Sequence, residues 1–135
     1  MYEKELYEKQ YGQKKIINAS SFPFLRKLFK NSDLHREELV LSLMNDGERL
    51  LDVGCGNGSL LFKAAGKFRE IYGIDISPSR IEEAQNTAAE KFANTHNLHF
   101  STANVNQKID LPDSFFDTVT SVAVVEHVFD PYHIM

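Results

Sequence analysis

Leu50-Leu51-Asp52-Val53-Gly54-Cys55-Gly56-Asn57-Gly58 decides how this chain folds. An apolar run short enough for a buried strand passes directly into three glycines on alternate positions, and helix-forming residues follow from Ser59. Glycines at such a junction let the backbone adopt positive φ and let a ligand approach closely, and the next helix opens with N–H groups that lack partners. A second acid follows at the right distance. Asp75 ends the next apolar run 75 − 54 = 21 residues beyond the first glycine, about where nucleoside-binding α/β folds place a carboxylate for the ribose hydroxyls. Taken alone, the glycines could serve only a tight connection, and Asp75 could be a surface acid flanking a helix.

Working outward, strand and helix periods alternate. Arg49 to Val53 reads as a strand and Ser59 to Phe68 as a helix with Leu60, Leu61, Ala64, Ala65 and Phe68 on one face. Glu70 to Asp75 is the second strand. Ser77 before Pro78 starts a helix running to Asn94, buried along Ile81, Ala84, Ala88 and Phe92. Leu98 to Ala103 and Phe116 to Val124 are the third and fourth strands. This alternation predicts right-handed crossovers and a parallel, Rossmann-like α/β sheet with helices on both faces. Upstream, helical stretches are predicted over Tyr2–Gln13, Pro23–Lys30 and Leu34–Met44, the last with Leu39, Val40, Leu43 and Met44 at helical spacing. With no repeat or linker, the 135 residues read as one domain: N-terminal helices over 1–47 and a nucleoside-binding core over 48–135.

Composition narrows the function classes. Hydrophobic residues are 42% and charged residues 25% of the chain, which is ordinary for a soluble globular domain. A net charge of −4 offers no electrostatic grip on nucleic acid, and the short cluster Arg26, Lys27, Lys30 reads as a solvated helix face. One cysteine excludes an internal disulfide, and no ligand set for a metal is recognisable. The sequence shows neither a membrane-spanning run nor a signal peptide, so a cytoplasmic location is expected.

The ligand class follows from glycine spacing. A dinucleotide site calls for G-x-G-x-x-G, but Ser59 stands where the third glycine belongs and Gly58 comes one residue early. Asp52 also sets a carboxylate where it would repel a pyrophosphate and could support a cationic amino-acid group. Both features disfavour NAD.

Three motifs in order resemble class I S-adenosylmethionine-dependent methyltransferases: LLDVGCGNGSLL, YGIDIS, and FFDTVTSVAVVEHVFDP. The resemblance runs from about Glu48 to the C-terminus. It implies that Asp52 and the backbone of Gly54, Cys55, Gly56 and Gly58 hold the methionine part of S-adenosylmethionine, and that Asp75 holds the ribose with Ile76 against the adenine. Asn104 stands where the family often has an aspartate for the adenine amino group, with the Val105 N–H beside the ring; an amide oxygen can still accept that bond. Val122 is expected near the sulfonium. Methyl transfer is an in-line displacement needing alignment and exclusion of water, so no nucleophile is sought and Cys55 reads as a packing residue. Glu126 and His127, just past the fourth strand, are the candidates for a base toward a hydroxyl or amine acceptor, or else they brace the turn. His96 and His99 read as surface residues, and Tyr7 and Tyr11 as core packing rather than a lid.

The resemblance also implies a seven-stranded sheet, and the sequence stops at Met135 after the fourth strand, the pattern of a fragment. The open edge of that strand is a candidate for self-association. A small-molecule acceptor is expected from the acidic balance, and the resemblance implies the same, since the EHV-x-D-P segment is similar to that of small-molecule members of the family. The alternatives are a cofactor-binding module without turnover and a nicotinamide-dependent oxidoreductase.

Overall fold

The structure is a computed structural model that describes residues 36–94 and 97–122. The helices expected over Tyr2–Gln13 and Pro23–Lys30, the basic cluster Arg26–Lys30, Tyr7, Tyr11 and His96 lie outside the described residues, as do Glu126 and His127. Residues 36–43 are helical (α1). Then come β1 (Gly47–Val53), α2 (Ser59–Lys63), β2 (Phe68–Asp75), α3 (Pro78–Lys91), β3 (Leu98–Thr102) and β4 (Thr118–Thr120). The strands form one sheet in the order β3-β2-β1-β4, every pairing parallel. That is the predicted Rossmann-like parallel sheet; of the helices expected on both faces, those described pack on the face of Leu50 and Asp52.

Because in-register neighbours of a parallel sheet share a face, the pairings sort the core. Leu50 aligns with Ile71, Leu98 and Thr118, and Asp52 with Gly73, Phe100 and Thr120. This face packs against Val40, Leu41 and Met44 of the first helical region, Leu60 and Leu61 of α2 and Ile81 of α3. Gly73 has no room for a side chain there: a Cβ would lie 2.7 Å from Leu61 Cδ1, 2.8 Å from Cys55 Sγ and 2.8 Å from Phe100 Cδ1. Leu51, Val53 and Ile74 form the opposite face, covered among the described residues by the β3–β4 connection through Ala103, Val105, Ile109, Leu111 and Phe116.

Several details differ from the sequence reading. The fourth strand, expected over Phe116 to Val124, is confined to Thr118–Thr120 among the described residues, with Phe116 packed in the connection before it. The helix expected to reach Phe68 ends at Lys63, and Phe68 instead begins β2; Ala64 to Lys67 turn back so that the Lys67 carbonyl accepts from Gly47 N at 3.1 Å. The helix expected to reach Asn94 ends at Lys91, and Phe92 stacks on Phe62 with ring centroids 4.9 Å apart. In α1, Leu39 and Leu43 are 60% and 75% exposed. The inward side of α1 is set by Glu37, Val40, Leu41 and Met44, at i, i+3, i+4 and i+7, so the two leucines lie a step round the helix.

Side chains fasten the sheet at its ends. Asp117 Oδ2 accepts from the amides of Glu48 and Arg49 at 2.9 and 2.7 Å, joining the start of β4 to the start of β1. Ser77 caps α3, its Oγ accepting from Arg80 N at 3.4 Å with Pro78 in the first turn, the arrangement read from the sequence.

Candidate functional site

At the C-terminal end of β1 the chain turns through Gly54, Gly56 and Gly58, all with positive φ, 79°, 56° and 83°. Gly58 also faces close rings: a Cβ there would stand 3.0 Å from Phe100 and from Phe62. Three of the turn's amides are bonded to carbonyls of the chain itself. Gly54 N and Cys55 N donate to Ile74 O at 2.8 and 3.0 Å, and Gly58 N donates to Cys55 O at 3.0 Å. The turn is therefore lashed to the end of β2.

Asp75 completes that lashing. Its Oδ2 accepts from Gly56 N at 2.8 Å and its Oδ1 from Ser77 N at 2.9 Å, and the residue is 2% exposed. The acid thus joins the glycine turn to the start of α3, a task that sequence spacing does not reveal. Each carboxylate oxygen has two lone pairs, so one acceptor position per oxygen remains beyond these bonds.

Asp52 lies one strand over and is 4% exposed. Its Oδ1 accepts from Thr120 Oγ1 at 2.7 Å across the β1–β4 pairing. Burial pushes its carboxyl up to about 7; the Thr120 hydrogen bond opposes this, and the negative charges of Asp75 and Glu37 add to it. Thr120 and Glu37 were not singled out from sequence. The signal for Thr120 is its strand register opposite Asp52; the signal for Glu37 is its place on the inward side of α1. Glu37 Oε2 accepts from Ser59 Oγ at 3.1 Å and pairs with Lys63, so α1 is tied to both ends of α2.

Cys55 is buried with its Sγ against Gly73, and burial beside Asp52 and Asp75 pushes its thiol well above the usual range. That fits a packing residue. Asn104 Oδ1 accepts from Asn106 N at 2.9 Å, which occupies one lone pair of the oxygen expected to meet an adenine. Ile76 is half-buried directly after Asp75. Val105 packs on the Leu51 face and Val122 on the helix-covered face, so the sheet separates them. His99 is exposed, 2.8 Å from Glu70 Oε2 and stacked on Tyr72. No cluster suited to a metal occurs among the described residues.

A family model described as a methyltransferase domain matches residues 44–135. The chain belongs to this methyltransferase family. The family uses S-adenosylmethionine. Among curated relatives, the methyltransferase chain is 38% identical over 85 residues to a ubiquinone biosynthesis O-methyltransferase of Paracidovorax citrulli, covering 63% of this chain and 35% of that protein. It is 39% identical over 88 residues to the aklanonic acid methyltransferase DauC of a Streptomyces species, covering 63% and 40%. The magnesium protoporphyrin IX methyltransferase of Synechocystis, solved with S-adenosylhomocysteine bound, superposes with a TM-score of 0.66 at 26% identity over 91% of this chain and 54% of that one. The chain thus spans well under half the length of the two curated relatives.

A turn with little side-chain bulk, backed by two buried carboxylates, fits a ligand that carries both hydroxyls and positive charge. Such a ligand gives the free acceptor positions of Asp75 their donors and gives Asp52 a compensating charge. S-adenosylmethionine has both features.

Proposed function

We propose that this chain is the cofactor-binding part of an S-adenosylmethionine-dependent methyltransferase acting on a small-molecule acceptor, in the cytoplasm. The observation that carries the reading is the pair of buried acids, Asp52 and Asp75, at neighbouring strand ends beneath a turn of three positive-φ glycines. Asp75, with Ile76, Asn104 and Val105, is assigned to the nucleoside; Asp52, the Gly54–Gly58 turn and Val122 are assigned to the methionine end. Bound there, S-adenosylmethionine supplies an electrophilic methyl carbon. The chain's residues hold that group, keep water from it and present it in line to the acceptor atom.

The named activities of the two curated relatives support a small-molecule acceptor, and the first supports an oxygen nucleophile. Glu126 and His127 are assigned by position as the base that takes the acceptor's proton. Residues 1–47 and 48–135 are assigned to one domain, as N-terminal helices and cofactor-binding core. No helix among the described residues is long and apolar enough to cross a membrane.

Calorimetric titration with S-adenosylhomocysteine, with NAD as control, tests this reading. Saturable binding of the first and none of the second is expected. Binding of NAD alone would move the chain to nicotinamide chemistry, which the G-x-G-x-G spacing and Asp52 oppose.

A further inference from the structure

Asp52 and Thr120 share too few protons for the acceptors around them. Thr120 Oγ1 lies 2.7 Å from Asp52 Oδ1 and 3.4 Å from the Leu51 carbonyl oxygen, and one hydroxyl proton cannot serve both. When Asp52 is ionised, the hydroxyl donates to it. When Asp52 carries a proton, the carboxyl donates to Thr120 Oγ1, and the hydroxyl proton is released toward Leu51 O. The hydroxyl thus serves either state, and its short donation to Oδ1 favours the ionised one, against the burial that favours the proton.

The surroundings favour the protonated arrangement. Asp52 faces Asp75 from β2 and Glu37 from α1, both acids, while Lys63 is engaged by Glu37 and the Cys55 thiol stays neutral. Arg80 of α3 lies against Gly56, and its positive charge lowers the Cys55 thiol, opposing the larger effect of burial.

We propose that Asp52 and Thr120 form a proton latch: the empty site holds a proton on Asp52, and a cationic group arriving at the strand ends expels it. Thr120 is the positioning residue, because its hydroxyl turns from acceptor to donor as the proton leaves. The inference rests on the functional reading above and adds a prediction that the reading does not make: cofactor affinity is coupled to pH through one named carboxyl. S-adenosylmethionine carries a sulfonium and an ammonium, and S-adenosylhomocysteine only the ammonium. Comparing the two ligands identifies the cation that trips the latch.

The test is calorimetric titration of the chain with each ligand from about pH 5.5 to 8, in paired buffers of different ionisation enthalpy, which counts protons released per ligand bound. Expected is release approaching one proton at the acid end and falling toward none at the alkaline end, with affinity rising up to ~tenfold per pH unit below neutrality. Release with both ligands assigns the ammonium; release with S-adenosylmethionine alone assigns the sulfonium. Asp52→Asn abolishes the release, with folding verified by circular dichroism. Thr120→Val moves the release to higher pH, whereas a merely structural role for Thr120 would weaken binding equally at every pH. Binding without proton release at any pH, or release that survives in Asp52→Asn, overturns the latch and leaves the functional reading intact. A folded chain that binds neither ligand at any pH overturns both.

Discussion

Replacing Asp52 by Asn separates the cost of a buried charge from the cost of a buried shape. In the folded chain the carboxyl is pushed from an ordinary 3.8 up to about 7, chiefly by burial. A folded-state value above the unfolded one means that the folded chain holds the proton more tightly. The associated stability is fully present below the unfolded value, about pH 4, and is lost as pH rises through about 7. The gap of roughly three pH units corresponds to about 4 kcal/mol at alkaline pH. Asn is close in size and keeps an amide opposite Thr120 Oγ1 but cannot ionise. The variant is therefore expected to match the parent to within about 1 kcal/mol near pH 4, and to exceed it by up to about 4 kcal/mol near pH 8. Urea unfolding of both chains across that range, at constant ionic strength, gives the difference directly. A difference that stays flat between pH 4 and 8 would refute the reasoning, since only an ionisation specific to the parent can give it a pH slope.

Other expectations concern packing, capping and reactivity. Gly73→Ala should destabilise by about 1–3 kcal/mol in thermal unfolding, because Leu61, Cys55 and Phe100 crowd the new Cβ from three sides; Gly66→Ala, with nothing within 4 Å, should leave the midpoint nearly unchanged. Asp117→Ala should accelerate hydrogen exchange at the Glu48 and Arg49 amides, which lose their acceptor, before it affects the centre of β1. Ser77→Ala removes the α3 cap and should cost about 1 kcal/mol in urea. Cys55, buried and with its thiol pushed up, should resist a thiol reagent at pH 8 in the folded chain and react promptly in denaturant.

What was legible in the sequence depended on whether a signal was local. The Ser77-Pro78 start of α3, the glycine turn and the acid 21 residues beyond its first glycine are short-range patterns, and each appears where its residues predict. The end of α2 was not legible, because Ala64, Ala65 and Phe68 continue a helical period that the chain abandons for β2. Leu39 and Leu43 misled in the same way: two periods overlap in α1, and the choice of Val40, Leu41 and Met44 belongs to the sheet. Thr120 and Glu37 depend on register and docking across 68 residues of chain or between helices, which no local spacing encodes.

Asp52 also makes stability and binding two measurements of one group. An ionised carboxylate held at 4% exposure destabilises the empty chain, and a cation at the strand ends removes that penalty while it binds. Ligand stabilisation of this methyltransferase chain should therefore exceed the stabilisation of Asp52→Asn by the same ligand, and the excess should follow pH. Near pH 8 the parent gains both the contact and the relief of its buried charge, whereas the variant gains only a neutral contact. Near pH 5 expelling the proton offsets most of the parent's advantage, so the two thermal shifts with S-adenosylmethionine converge. Equal shifts at both pH values would mean that the cation lies too far from Asp52 to sense it, and would assign the methionine end of the ligand to other residues.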